Sequence, residues 1–75
     1  MREFHIAMRS FQHVQAFVSL AMEQPFDVLV GNDGINGKDF MGMFTLDYSR
    51  PVQVAVRCSE EECNLFRQKV AQVLS

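Results

Sequence analysis

Two histidines, two cysteines and one run of three glutamates have the types and spacing that suit proton, thiol or phosphoryl chemistry in this chain. His13, in the stretch "SFQHVQA", immediately precedes an apolar pattern of helical period, which puts it at the expected start of a helix. Free backbone amides and the positive end of the helix dipole favour an anion at such a place. Imidazole is also the usual carrier of a proton or phosphoryl group near neutral pH, and a phosphoryl group on His13 would be held by those amides. The plainer reading is an exposed first-turn histidine. His5 points outward from the alternating segment "REFHIAM" and reads as a surface residue.

The thiols and acids divide in the same way. Cys58 comes just before a second helix start, where the dipole would favour its thiolate, whereas Cys63 falls on that helix's apolar stripe and reads as inert. Two cysteines at the start of one helix are too few for a disulfide framework, and both read as reduced. Glu60, Glu61 and Glu62 are placed to complement the helix dipole and to cap, not to act as catalytic carboxylates. No pair of Cys or His has zinc spacing, and neither a Ser-His-acid set nor a Gly-rich phosphate loop is visible. "GNDGING" has glycines enough, but it lies between alternating segments and reads as a hairpin turn. No metal, no cofactor and no catalytic motif of an enzyme is expected.

These residues are positioned by elements whose rhythm changes clearly along the chain. In "REFHIAM", Phe4, Ile6 and Met8 point one way and Glu3, His5 and Ala7 the other, which is a strand with one wet face. "HVQAFVSLAMEQ" is helical, with Val14, Phe17, Val18 and Ala21 on one stripe, and Pro25 ends it at Gln24. "FDVLV" alternates with Phe26, Val28 and Val30 inward; "GNDG" turns; a short strand lies around residues 34–36. "PVQVAVR" is the clearest strand, with Val52, Val54 and Val56 inward. In "SEEECNLFRQKVAQVLS", Ser59 and Glu62 have capping-box spacing, and Cys63, Phe66, Val70 and Val73 form the expected buried stripe. Strands with one polar face suit an antiparallel sheet covered on one side, so the expected fold is α+β: an open-faced two-layer sandwich in one domain, residues 1–75.

Composition narrows the function class. Hydrophobic residues make up 48% of the chain, enough for a core at a size where roughly 60% of the unfolded surface is hidden. A net charge of −2, with Lys and Arg scattered, argues against nucleic acid as a partner. No apolar run reaches the roughly 18 residues of a membrane span and no secretory signal is visible, so the expectation is a cytoplasmic protein without membrane insertion.

The segment "INGKDFMGMFTL", followed by "PVQVAV" and the capped last helix, resembles the HPr family, the histidine-containing phosphocarriers of the bacterial phosphoenolpyruvate-dependent sugar phosphotransferase system. The resemblance covers essentially the whole chain. It implies four antiparallel strands with three helices on one face. It also implies a phosphorylation motif, Gly-hydrophobic-His-Ala-Arg-Pro-Ala, at the entrance to the first helix.

At that motif the chain departs from the family. An ungapped count from Pro25–Phe26 aligns Ala16 with the motif's last Ala, Phe11 with its hydrophobic residue and Gln12 with the phosphorylated His. Val14 then replaces the Arg and Gln15 the Pro; a one-residue gap would bring His13 to the phosphoacceptor place. Gln has no nucleophilic ring nitrogen and Val offers no donors to phosphate oxygens. A branch of the family with Gln at this position keeps a regulatory role, which this chain resembles there. At the family's regulatory serine stands Asp39, read either as the N-cap of a short helix or as a fixed, partial imitation of phosphoserine.

The resemblance thus implies a regulatory or protein-binding variant that does not carry phosphate on the usual histidine. Its partner surface would comprise Phe11, Gln12, Phe40, Met41 and Phe44, and its partners would be phosphotransferase components or a transcriptional regulator. The alternatives are a divergent phosphocarrier using His13 and a degenerate, purely structural domain.

Overall fold

The computed structural model describes residues 1–74. The elements follow the order strand, helix, strand, strand, helix, strand, helix: β1 (Arg2–Ile6), α1 (Phe11–Met22), β2 (Val28–Val30), β3 (Ile35–Asn36), α2 (Phe40–Met43), β4 (Val52–Val56) and α3 (Glu60–Val73). The strands form one sheet in the order β1-β4-β2-β3, and every neighbouring pair is antiparallel. The three helices pack on this sheet, so the architecture is the α+β two-layer sandwich expected from the alternation.

Register explains why one face is dry. Phe4 lies opposite Val54, which in turn lies opposite Val30, while Val28 faces Val56. These residues all point to the helices and all are buried. Glu3 and His5 lie on the other face and are exposed. β2 turns into β3 through Gly31 and Gly34, which have φ of 81° and 66°; Asn32 and Asp33 keep negative φ, so the glycines alone make the left-handed steps. Gly37, after β3, is buried because the chain passes close to β2: a Cβ there would lie 2.8 Å from Val28 Cγ1.

The helices differ from expectation at their ends. α1 begins at Phe11 and ends at Met22, two residues before the expected bounds at both ends. At its start Ser10 is the N-cap, its Oγ accepting from the His13 amide at 3.2 Å. At its end the Gln24 amide donates to Ala21 O and the Gln24 side chain to Leu20 O, closing the helix before Pro25 is reached. α3 has the closed capping box that its Ser59–Glu62 spacing promised. Its stripe is Cys63, Phe66 and Val70, but Val73 is exposed and Leu74 packs against the core in its place. Eleven residues beyond Cys63 the rotation of the helix favours position 74 over 73.

Phe66 is the hub of the core, its ring 6.2 Å from Phe4, 6.1 Å from Phe17 and 5.7 Å from Phe26. None of the buried side chains among the described residues is polar or charged. Apart from the Cys63 thiol the core therefore offers no group for chemistry, and any polar site must be on the surface. Among the described residues no helix is long and apolar enough to cross a membrane.

Candidate functional site

The sequence-marked residues Phe11, Gln12, Phe40, Met41 and Phe44 converge where the start of α1 meets α2. Phe11 is the first residue of α1, outside the stripe that faces the core, and α2 is a single turn that presents its side chains alongside it. The Phe11 ring lies 5.9 Å from Phe40 and stacks on Phe44 at 5.3 Å with 19° between planes. Phe40 and Phe44 are 4.7 Å apart. This cluster of three rings is largely in water: Phe11 is 52% exposed, Phe44 43%, and Met41 beside them 76%. Only Phe40 leans inward, half-buried against the core. Aromatic rings gain roughly 0.5–1.5 kcal/mol per well-placed pair, so the cluster holds its shape without being covered. Next to it, a shallow groove of about 540 Å³ runs along α1 past Gln12, Gln15, Ser19 and Met22 to Phe40.

The entrance to α1 is built as a two-way cap. Ser10 Oγ accepts from the His13 amide, and His13 Nδ1 accepts from the Arg9 amide at 3.1 Å. The imidazole does the work that Glu or Gln does in an ordinary capping box, shifted by one residue. An Nδ1 that accepts carries no proton, so the neutral ring is the Nε2–H tautomer and its free lone pair is engaged. Gln12 is the second residue of the helix and exposed. Ser10, the strongest N-cap residue available, stands at the entrance itself. The ungapped count that assigned Gln12 to the phosphoacceptor place therefore lands one turn position inside the helix, and the gapped count puts His13 deeper still.

Asp39 is at the N-cap of α2, but its side chain makes no cap hydrogen bond, contrary to the reading of it as an amide-accepting cap. Its carboxylate lies over Gly42, with Oδ2 3.0 Å from where a Cβ on that glycine would be. α2 is instead held from behind: Thr45 Oγ1 donates to Gly42 O at 2.7 Å and the Tyr48 hydroxyl donates to Met43 O. Partial burial raises the Tyr48 pKa above its usual value. Lys38 Nζ donates to Gln24 O at 2.8 Å and so ties the approach to α2 to the end of α1. Sequence reasoning missed Lys38, Thr45 and Tyr48; the signal for Thr45 was its position three residues after Gly42, a common side chain-to-backbone spacing.

Of the two thiols, Cys58 departs from expectation and Cys63 is buried on the stripe of α3 as expected. Cys58 is half-buried and its thiol is pushed up, first by burial and then by the neighbouring Cys63 and Glu62, with Arg2 opposing. The helix dipole does not produce an activated thiolate there. Cys63 is buried and free. His5 lies on the open face of β1, away from the ring cluster. Among the described residues, no three His, Cys, Asp or Glu side chains are grouped so as to hold a metal ion.

Compared with known proteins, the chain matches no family model and no curated protein sequence.

Proposed function

We propose that this chain is an HPr-like protein-binding domain that does not pass on a phosphoryl group and that docks a protein partner through Phe11, Phe40, Met41 and Phe44. The observation that carries this reading is the exposed cluster of three rings at the junction of α1 and α2. Aromatic residues and Met are enriched at the centres of protein interfaces, and rings already locked against one another lose little freedom on binding. Two further features support it. The fold has the sheet and helices that the resemblance implies. The entrance to α1 has a serine as its cap, and none of the residues in the helix's first turn is an arginine.

Phosphoryl transfer needs a free imidazole lone pair and donors for the phosphate oxygens. His13 Nδ1 already accepts from the Arg9 amide, and Val14 is buried and apolar. Incubation with phosphoenolpyruvate and the first enzyme of the phosphotransferase system is expected to leave the mass of the chain unchanged. Stoichiometric, acid-labile phosphate would overturn the proposal, and its loss in a His13→Ala variant would then identify His13 as a divergent carrier.

A further inference from the structure

The start of α3 carries an arrangement that the docking surface does not use. Its capping box is closed in both directions: Ser59 Oγ accepts from the Glu62 amide and Glu62 Oε1 accepts from the Ser59 amide, both at 3.1 Å. In a helix start of this kind, the residue before the cap and the fourth helical residue often pack on each other as a staple. Here those two residues are Cys58 and Cys63. Both thiols are free, and both pack against the same core cluster, Cys63 within it and Cys58 at its margin. An ordinary staple needs only apolar side chains; these two positions hold the chain's two thiols.

The outer thiol is reachable. Cys58 lines a cleft of about 350 Å³ together with Met1, Arg2 and Arg57. Arg2 and Arg57 are exposed and flank the cleft from β1 and from the residue after β4, putting two positive charges at its mouth, while the Glu62 carboxylate opposes them at the thiol. Cys63 is buried and does not line this cleft, so a reagent entering it meets Cys58 first.

We propose that Cys58 and Cys63 are an oxidisable pair that closes to an intramolecular disulfide by exchange with a small anionic disulfide entering the Arg2–Arg57 cleft. In the first step the Cys58 thiol loses its proton to solvent and its thiolate attacks one sulfur of the small disulfide. A mixed disulfide forms and the other half leaves as a thiolate, which takes up a proton. In the second step Cys63, likewise deprotonated, attacks Cys58 Sγ and expels the remaining half. Two protein thiols are oxidised and one small disulfide is reduced to two thiols.

The test is intact-mass spectrometry of the reduced full chain incubated at low salt with glutathione disulfide, whose carboxylates suit the arginines, or with the dication cystamine. The expected product is a chain two hydrogens lighter, with a proteolytic peptide map joining Cys58 to Cys63. Cys63→Ala should stop at the glutathione adduct on Cys58. Glutathione disulfide should react about tenfold faster than cystamine, the low end of what charged clefts achieve, and salt should close the gap. A wild-type chain that stays unreacted, accumulates the mixed disulfide or pairs between molecules overturns the proposal. Equal rates for the two reagents overturn the assignment of the cleft. The wild-type peptide map decides the pairing even if Cys63→Ala fails to fold.

Discussion

The seven phenylalanines divide into two sets, and the division predicts opposite results from superficially similar substitutions. Phe4, Phe17 and Phe26 surround Phe66 in the core; Phe11, Phe40 and Phe44 form the outer cluster. Phe66 is 1% exposed, so Phe66→Ala removes a whole ring from water-free packing and leaves a cavity, at about 3–5 kcal/mol. A 75-residue chain at roughly 0.05–0.15 kcal/mol per residue has about 4–11 kcal/mol in all. The variant therefore loses about a quarter of its stability at least and is unfolded at the weak end of that range. At about 4–8 °C per kcal/mol, its Tm falls by more than about 12 °C.

Phe44→Ser removes a ring that already faces water and stacks on Phe11. Its cost is two aromatic pairs, with Phe11 and with Phe40, and part of a burial, about 1–3 kcal/mol. Urea unfolding of the two variants, followed by far-ultraviolet circular dichroism, reads the difference as separate midpoints at a common slope. If Phe44→Ser costs as much as Phe66→Ala, the outer cluster is core, and the docking surface loses its physical basis.

Three further substitutions test how the elements are held. Ser59→Ala opens the capping box of α3 and is expected to cost about 1 kcal/mol, read as a Tm about 4–8 °C lower; an unchanged Tm would show that the box is not holding the helix start. Gly37→Ala forces a Cβ to 2.8 Å from Val28 Cγ1 and 3.2 Å from Val28 O, and this overpacking should cost about 1–3 kcal/mol in urea; an unshifted midpoint would refute the close approach. Tyr48→Phe removes the donor to Met43 O and should cost about 0.5–1.5 kcal/mol at neutral pH. Because the Tyr48 pKa is raised in the fold, its contribution is complete below the unfolded value of about 10 and is lost as pH rises through the folded one. The wild type should therefore lose stability on the alkaline side more steeply than Tyr48→Phe, and identical alkaline slopes would contradict the burial of the phenol.

What was legible in the sequence was whatever repeated. β1 and β4 alternate over five residues each, and α1 and α3 keep a stripe over three turns or more, so their faces follow from period alone. Ser59 and Glu62 were legible because a capping box is a local motif whose partners are fixed by spacing. The start of α1 was not, because Phe11 and Gln12 lie off the apolar stripe and the residue three after Ser10 is His, not Glu or Gln. The support of α2 was hidden for a different reason. Four residues are too few for a period, and the Tyr48–Met43 hydrogen bond depends on the path of a loop that no pattern encodes. The exposure of Phe11, Met41 and Phe44 was illegible on the same ground: a single turn does not announce which of its apolar residues face inward.

His13, singled out for chemistry, proves to set geometry together with residues that carry none, and this bears on the docking reading. His13 and Ser10 lock the first turn of α1, and Phe11 is the first residue of that turn. Thr45 and Tyr48 fix the end of α2, where Phe44 caps the helix. Lys38 fixes the approach to α2 against the end of α1. Phe11 and Phe44 are thus mounted on backbone held by side-chain hydrogen bonds near them, and Phe40 is held by packing against the core. A patch of merely tolerated surface hydrophobics would need no such mounting, since scattered exposed apolar residues are normal and carry no positional constraint. Three rings in mutual contact, mounted on the first turn of α1 and the single turn of α2, form a preorganised surface, and preorganisation lowers the ordering cost that a protein partner would otherwise have to offset.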